Sequence, residues 1–338
     1  MKRLLSIFSI CLCVALLLTG VALLQPSRAL ADNNARDYIP APAGVLAVLT
    51  YYQHVSANNF YLRGSKASTN IGLTENIGIL RPIYFVDIPM PWGLSPMRAA
   101  PQILIPFGEA SLNGNVNPAP IGGTPGTGTE SSGFGTPILL SQFWFLHDDQ
   151  TKTYLAFSPF FFFKSGAYNN WKQVVPGGIN IGNHRWAFRQ EFNATKGFEV
   201  IPGHFGYFEV TLGVDEFTDN DDYGAASAKL SQRPTFNVES HLSYDITKTV
   251  FASVDFYGHY GGNYWASKNG ILLENVGAVG QSALGMSLAY SFAPGFQLML
   301  QYRGDVAVAN GPAANIFLAR FLWATDLNSL MGNPQAKP

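Results

Sequence analysis

The sequence contains few cysteines, few charged residues and only one long apolar run. Its two cysteines, Cys11 and Cys13, both lie in that N-terminal run, so the rest of the chain can form neither a disulfide framework nor a thiolate metal site. Asp, Glu, Lys and Arg together make up 13% of the residues, compared with about 25% in an ordinary globular protein. No later apolar stretch reaches the ~20 residues that a membrane-spanning helix needs. These absences exclude a disulfide-rich secreted domain and a bundle of transmembrane helices.

The first 31 residues are predicted to be a secretory signal peptide. A basic pair precedes an apolar run over residues 4–24, and the triplet Ala29-Leu30-Ala31 is typical of cleavage before Asp32. A retained membrane anchor is the alternative that the length of the run permits. Removing the three basic residues of this region from the 21 in the chain leaves 18 against 22 acidic residues, a net charge of −4. The chain therefore shows no basic patch of the kind that binds nucleic acid.

Apolar and polar side chains alternate over residues 207–217. One face carries Phe208, Val210, Leu212 and Val214, and the other carries Tyr207, Glu209, Thr211, Gly213 and Asp215. This period of two is typical of a β-strand between an apolar and a polar phase, and residues 235–246 and 296–306 repeat it. A run of about eleven residues tilted by ~45° spans ~25 Å, the height of the lipid-facing band of an outer-membrane barrel. We therefore predict an all-β fold, a transmembrane antiparallel up-and-down β-barrel.

The alternation predicts about twelve strands. They cover residues 45–55, 75–85, 99–106, 135–145, 153–163, 183–192, 206–217, 234–246, 250–259, 281–292, 295–305 and 315–323. Pro82 and Pro101 lack the N–H that a strand ladder uses, so we expect them at bulges or strand ends.

The predicted connections alternate in length. Short ones at 146–152, 247–249 and 293–294 follow long ones at 107–134, 218–233 and 260–280, with further long ones at 56–74 and 164–182. Short periplasmic turns and long extracellular loops are typical of outer-membrane barrels, and an even strand count places both termini in the periplasm. We expect a barrel over 45–323, a short N-terminal segment at 32–44 in which no plug is recognised, and a polar C-terminal tail at 324–338.

The alternation alone does not say which face points inward, because a soluble barrel has the same period with its faces reversed. A basic residue at mid-depth on the lipid face costs about 2–4 kcal/mol and an acidic one somewhat less. Placing Glu209, Asp215, Glu239, Asp255 and Arg303 on lipid would together cost as much as a whole fold's stability. We therefore expect the polar face to line the lumen and the apolar face to contact lipid.

Several motifs resemble one known family. They are Gly182-Asn183-His184-Arg185-Trp186, the stretch at 217–223, Ser243-Tyr244-Asp245 after Glu239, and Asn310-Gly311. Over residues 35–323 the chain resembles the outer-membrane transporter family of meta-pathway phenol degradation. The resemblance implies passage of aromatic or other poorly soluble small molecules across the outer membrane of a Gram-negative bacterium. Barrels of this kind usually end at an aromatic residue, whereas this chain continues as a polar tail.

The polar strand faces predict the lining of the lumen. The candidates for the solute path are Arg185, Arg189, Glu209, Glu239, His241, Asp255, Tyr257, Arg303 and Arg320. Twelve strands should leave a narrow bore, across which these charges pair and close the pore, form a selectivity ring, or do both. The sequence leaves both alternatives open.

Aromatic residues of the predicted outer loops are candidates for capturing hydrophobic solutes before passive diffusion. They are Tyr168, Trp171, Tyr260, Tyr264 and Trp265. His241 and Ser243 share a strand face, but an outer-membrane lipase must meet lipid and this face is predicted to line the lumen. We therefore expect no catalytic residue, no metal site and no cofactor.

These observations favour a passive outer-membrane channel for small aromatic or hydrophobic compounds. A general porin for small polar solutes and a closed barrel with an enzymatic or adhesive role are the alternatives. The expected partners are outer-membrane lipid and lipopolysaccharide, the barrel-assembly machinery and small hydrophobic or aromatic solutes, with no nucleic acid.

Overall fold

The computed structural model of the chain describes residues 32–113, 129–168, 180–223 and 227–327. Nearly all of its regular structure is β. The strands are β1 (Val45–Leu62), β2 (Ser65–Tyr84), β3 (Val86–Ile88), β4 (Met97–Leu112), β5 (Thr129–Phe134), β6 (Ile138–Asp148), β7 (Thr153–Phe162), β8 (Ala187–Ile201), β9 (His204–Phe217), β10 (Asn220–Tyr223), β11 (Ala228–Gln232), β12 (Thr235–Asp245), β13 (Val250–Lys268), β14 (Ile271–Ala293), β15 (Phe296–Val308) and β16 (Gly311–Asp326). A single turn of 3-10 helix covers Pro91–Gly93. No helix among the described residues has the length and apolar character needed to cross a lipid bilayer.

Twelve of the strands form a closed ring in which each pairs antiparallel with its neighbours. The ring runs β1, β2, β4, β6, β7, β8, β9, β12, β13, β14, β15 and β16. It closes because β1 also pairs with β16, from Val45 opposite Asp326 to Tyr61 opposite Gly311. The short strands β3, β5, β10 and β11 extend this wall at its two rims. The predicted fold class, an antiparallel up-and-down barrel of about twelve strands, is confirmed.

The two faces of the wall are inverted relative to a soluble protein. On β9, Glu209 and Thr211 are 1% and 2% exposed, whereas Leu212 and Val214 are 42% and 39% exposed. Side chains of a strand alternate between faces, so the carboxylates point into the barrel and the aliphatic groups point outward. An apolar outer surface is stable only in contact with lipid. The predicted orientation of the faces is confirmed, and the protein is an outer-membrane β-barrel.

We call the barrel end at which β1 begins and β16 ends the terminal end, and the opposite end the loop end. Connections at the terminal end are mostly short, at 149–152, 202–203, 246–249 and 294–295. At the loop end, long connections follow β4, β7 and β9. By the architecture of outer-membrane barrels, the terminal end faces the periplasm.

Two of the predicted long loops are wrong. Residues 56–74 and 260–280 are continuations of the hairpins β1–β2 and β13–β14, and each hairpin ends in a two-residue turn. Both turn residues have positive φ, 50° and 77° at Arg63-Gly64 and 51° and 76° at Asn269-Gly270, as a type I′ turn requires. Beyond the lipid both strand faces meet water, so the alternation that identifies a strand inside the membrane is lost there.

Two details of the strands concern positions that were predicted from the sequence. The ladder between β2 and β4 is interrupted between the pairs Leu80–Ile105 and Ile83–Gln102, and Pro82 lies in the gap. β16 continues to Asp326, three residues beyond the predicted end of the barrel at 323.

The N-terminal segment, residues 32–44, lies inside the barrel. Ala35 and Tyr38 are 0% and 1% exposed and belong to the same apolar cluster as wall residues such as Leu49 and Ile79. The expectation that this segment forms no plug is therefore wrong. A segment of this length is too short to form a domain of its own, but it is long enough to fill half of a narrow lumen.

Replacing Leu212, near the middle of β9, by Arg should destabilise the barrel by about 2–4 kcal/mol, because the side chain faces the lipid interior. Urea unfolding in phospholipid vesicles measures the change. The control is Glu216→Arg, an outward position at the loop end of the same strand, for which we expect at most about 1 kcal/mol. Equal effects of the two substitutions would contradict the depth that we assign to β9.

Candidate functional site

Acidic side chains from adjacent strands converge inside the barrel. Glu191 on β8, Glu209 on β9 and Glu239 on β12 are each 1% exposed. A buried carboxylate is stable only when hydrogen bonds or a counter-charge replace its water. The wall alone does not supply these partners, and most of them come from the N-terminal segment.

The backbone and side chains of the N-terminal segment bind these three carboxylates. The Asn33 backbone N–H and side-chain amide both donate to Glu239 Oε2 at 3.0 Å, and the amide also donates to Glu191 Oε1 at 2.7 Å. The Tyr38 hydroxyl donates to the same Glu191 oxygen at 2.5 Å. The Arg36 backbone N–H donates to Glu209 Oε2 at 2.7 Å. Each carboxylate of the cluster therefore accepts a hydrogen bond from the segment.

Asp37 connects the segment to two arginines on the opposite wall. Its two carboxylate oxygens lie 3.1 Å from Arg81 Nη1 on β2 and 2.7 Å from Arg320 Nη1 on β16. Burial acts to raise the pKa of the Asp37 carboxyl, but Arg320 and Arg81 hold that pKa below its ordinary value. The side chain therefore stays ionised at neutral pH. We call the buried ion pairs Arg81–Asp37–Arg320 the latch, because they join the N-terminal segment to two strands of the wall.

Apolar packing completes the seal at the terminal end. Ala35 and Tyr38 pack in a cluster that includes Ile79, Phe85 and Trp144. The Trp144 indole N–H donates to the backbone carbonyl oxygen of Tyr38 at 2.9 Å. The terminal half of the lumen is thus filled by side chains and by the segment.

Asp32, the first described residue, lies at the floor of the remaining lumen. Its carboxylate binds the Arg303 guanidinium and lies 3.5 Å from His259 Nε2. Beside it, the Tyr257 hydroxyl donates to the backbone carbonyl oxygen of Asn33 at 3.3 Å. This floor separates a small cavity of about 40 Å³, within the filled half, from a larger one towards the loop end.

The larger cavity, which we call the loop-end cavity, has a volume of about 190 Å³. One wall, formed by β1, β2, β4 and β16, is largely aliphatic, with Val55, Leu73, Ile77, Ala110, Ala314 and Ile316, and it also carries Gln53 and Glu75. The facing side is polar and includes Arg185, Arg189, Asp215, Gln232, His259 and Gln281. Tyr168 and Tyr264 also line it. The cavity suits a small solute that has one apolar and one polar side.

A histidine–aspartate pair inside the wall has no accompanying nucleophile among the described residues. His241 Nδ1 lies 2.8 Å from Asp255 Oδ1, while His241 Nε2 lies 3.9 Å from Glu239 and makes no hydrogen bond there. Ser287 donates to Asp255 instead, at 2.8 Å. A catalytic serine would have to sit at Nε2, so this pair stabilises the wall.

The structure places the predicted lumen residues inside the barrel. Arg189, Glu209, Glu239, His241, Asp255, Tyr257, Arg303 and Arg320 all point inward from the strands. Arg185 lies just before β8 rather than on it, and it lines the loop-end cavity. Arg189, Arg303 and Arg320 form ion pairs with carboxylates, and Asp255 pairs with His241. A selectivity ring formed by the same residues stays a prediction.

The predicted loop aromatics divide into two groups. Tyr168 and Tyr264 line the loop-end cavity, although Tyr264 is on β13 rather than in a loop. Tyr260 and Trp265 are also on β13 and face away from the lumen, since Tyr260 pairs with the outward Phe236 and Trp265 alternates with inward Tyr264. Their placement in a capturing loop is wrong. Trp171 lies outside the described residues.

The sequence interpretation missed four residues of the candidate site, which are Asn33, Arg36, Asp37 and Tyr38. They form no recognisable motif. One feature of the sequence could have indicated them. Acidic residues outnumber basic ones on the predicted inner faces of β8, β9 and β12, so the buried carboxylates need hydrogen-bond donors from elsewhere in the chain.

Replacing Asp37 by Ala should release the N-terminal segment, because it leaves Arg81 and Arg320 buried without their carboxylate. Removing one partner of such a pair costs about 3–5 kcal/mol. Trypsin should then cleave after Arg36, and mass spectrometry should detect a chain that begins at residue 37. The control is Asp219→Ala, which breaks the exposed pair with Lys229 at 2.6 Å. Resistance of both variants to trypsin would show that the latch does not hold the segment.

Comparisons with known proteins agree with this architecture. The family model described as "Putative MetA-pathway of phenol degradation" matches residues 57–321. The crystal structure of the COG4313 outer membrane channel from Pseudomonas putida F1 superposes with a TM-score of 0.74 at 21% identity, covering 87% of this chain and 100% of that one. The transport unit of the autotransporter AIDA-I from Escherichia coli gives a TM-score of 0.51 at 8% identity, covering 88% and 94%. A comparison with curated proteins gave no match.

At these identities the two solved structures support the barrel fold alone, whereas the family model covers most of the chain. The inverted faces, the twelve-strand ring and the family match agree with one another. The chain is therefore a member of the family of the putative MetA pathway of phenol degradation.

Proposed function

We propose that the protein is a passive outer-membrane channel for small aromatic or hydrophobic compounds. The observation that carries the proposal is the loop-end cavity, which is lined on one side by aliphatic groups and lies above the closed half of the lumen. The family is described by a pathway of phenol degradation, and the Pseudomonas putida relative of the same fold is named a channel. Both descriptions support this proposal.

The size of the cavity favours a single aromatic ring. An apolar cavity of about 150 Å³ in another protein binds benzene, and the loop-end cavity measures about 190 Å³. A disaccharide is too large for it. The largely aliphatic wall also offers a sugar few hydrogen bonds, so a general porin is the less favoured function.

Residues that line the cavity capture the solute in this proposal, because Tyr260 and Trp265 face away from the lumen. Tyr168 and Tyr264 lie on the lining, and Phe162 and Phe217 extend the aromatic surface beside them. A ring that leaves water for this surface gains the hydrophobic free energy of its buried area.

Passage to the periplasm requires a movement of the N-terminal segment. The segment fills the terminal half of the lumen, and the Asp32–Arg303 pair closes the floor of the cavity. We propose that brief undocking of this segment opens a narrow path, and that the solute then diffuses down its gradient. The channel should therefore conduct weakly.

The outer surface fits the expected partners. Its exposed aliphatic and aromatic side chains contact lipid, and lipopolysaccharide would surround the hairpins at the loop end. Insertion by the barrel-assembly machinery is part of the same proposal. A closed barrel with an adhesive or enzymatic role is the second candidate, and it is favoured by the filled terminal half of the lumen.

Single-channel recordings in a planar bilayer test the proposal. We expect a small conductance and reversible block by millimolar phenol added at the loop end. Proteoliposomes should not swell in a disaccharide solution. Rapid swelling in hexoses would instead support a general porin. A complete lack of current and of phenol binding, in the wild type and in Asp37→Ala, would support the closed barrel.

Replacing Ala314 by Trp should abolish the block by phenol, since the indole would fill the apolar side of the loop-end cavity. Ala319→Trp is the matched control, because Ala319 lies on the same strand but faces lipid. Recordings of both variants at equal phenol concentration give the comparison. Retention of the block in Ala314→Trp would place the phenol site elsewhere.

A further inference from the structure

Arg185 lines the loop-end cavity and forms no ion pair with a carboxylate among the described residues. It precedes β8, and its guanidinium lies over the Phe217 ring at 4.3 Å from the centroid. Nη2 donates to the Oε1 atom of Gln232. Nη1 is buried and has no hydrogen-bond partner among the residues that the structure describes.

The other two arginines of the cavity are paired. Arg189 makes a two-pronged contact with Asp215, with Nε at 2.6 Å and Nη2 at 3.2 Å. Arg303 binds the carboxylate of Asp32. Of the nearest acids to Arg185, Asp215 is therefore occupied by Arg189.

Asp219, the other acid near Arg185, pairs with Lys229 at 2.6 Å. Within the described part of the chain, no carboxylate lies within 4.0 Å of the Arg185 guanidinium. Burial without an adjacent counter-charge lowers the pKa of Arg185 to about 10, so the side chain is still cationic at neutral pH.

A buried cationic donor without a partner is rare in native proteins, and it indicates an anion that completes the site. The ligand must also suit the rest of the cavity. Opposite the polar side, Val55, Leu73 and Ile316 present aliphatic groups to the cavity, and Glu75 is the carboxylate on the same wall. The volume of about 190 Å³ accommodates one ring with a small substituent.

We propose that the loop-end cavity selects small aromatic carboxylates, in which Arg185 binds the carboxylate and the aliphatic groups of the wall contact the ring. This inference rests on the channel function proposed above. A guanidinium forms short, charge-assisted hydrogen bonds to a carboxylate. Gln232 and Phe217 hold the guanidinium in place. A neutral phenol enters the same cavity but offers the Nη1 donor only an uncharged acceptor, so it binds more weakly.

Block of single-channel current by three probes separates the contributions of charge and ring. Benzoate carries both groups, acetate carries only the carboxylate and benzyl alcohol carries only the ring. We expect benzoate to block at concentrations about 10- to 100-fold lower than either of the other probes, which corresponds to one charge-assisted hydrogen bond. Equal block by acetate would mean an anion site without ring selectivity, and equal block by benzyl alcohol would mean that the charge is not recognised. Either result overturns the inference.

Arg185→Gln should lose this preference for benzoate and retain its block by benzyl alcohol, and Arg185→Lys should lose only part of it. The matched control is Arg233→Gln, which removes an exposed charge beside Gln232 and should leave the block by each of the three probes unchanged. Heat-modifiable mobility on gels checks that the variants are folded. If Arg185 has a purely structural role, the Arg185→Gln substitution should weaken the block by benzyl alcohol as well, and this result also overturns the inference. If the wild type carries a current that no probe affects, the inference fails and the channel itself stands; if the wild type carries no current, the proposed channel function fails.

Discussion

The rest of the structure depends on one constraint, which is that carboxylates inside a narrow barrel must find hydrogen-bond donors. Glu191, Glu209 and Glu239 are removed from water by the wall that carries them. Their donors come from residues 32–44, which the wall does not contain. The N-terminal segment is thus bound by the same polar groups that make the inner face unsuitable for lipid. Orientation of the wall and closure of the lumen have a common electrostatic cause.

A filled terminal half and an unfilled loop-end half give the lumen two different roles. In the filled half, charges meet counter-charges and the Asp37 carboxylate joins two arginines across the bore. In the loop-end half, aliphatic groups face polar ones and the Arg185 guanidinium lacks a carboxylate partner among the described residues. In the function proposed above, recognition of a solute and resistance to leakage can therefore be altered independently, because they rest on separate side chains.

Much of the wall was predictable because a membrane imposes a strict rule on each strand. Within the lipid band the outward residue must be apolar, so the alternation on β9, β12 and β15 identifies both the strand and its inner face. The rule ends at the membrane surface, and for that reason the hairpin extensions carrying Tyr260 and Trp265 resemble loops in sequence. The position of Arg185 at the cavity was predictable only approximately. Asn33, Arg36 and Asp37 dock through residues that are distant in sequence. Arg81 is more than forty residues from Asp37, and the other partners are more than a hundred residues away, so no local pattern encodes the docking.

The position of the segment inside the ring also constrains how the protein is made. The chain closes on itself where β1 meets β16, and the last of these residues is synthesised nearly three hundred positions after the segment. Gly44 bonds to the backbone of Phe85 at the terminal end, whereas Asp32 lies deepest in the lumen, at Arg303. The segment can therefore enter only through the terminal end, with its earlier residues leading, and it can do so after the seam has formed.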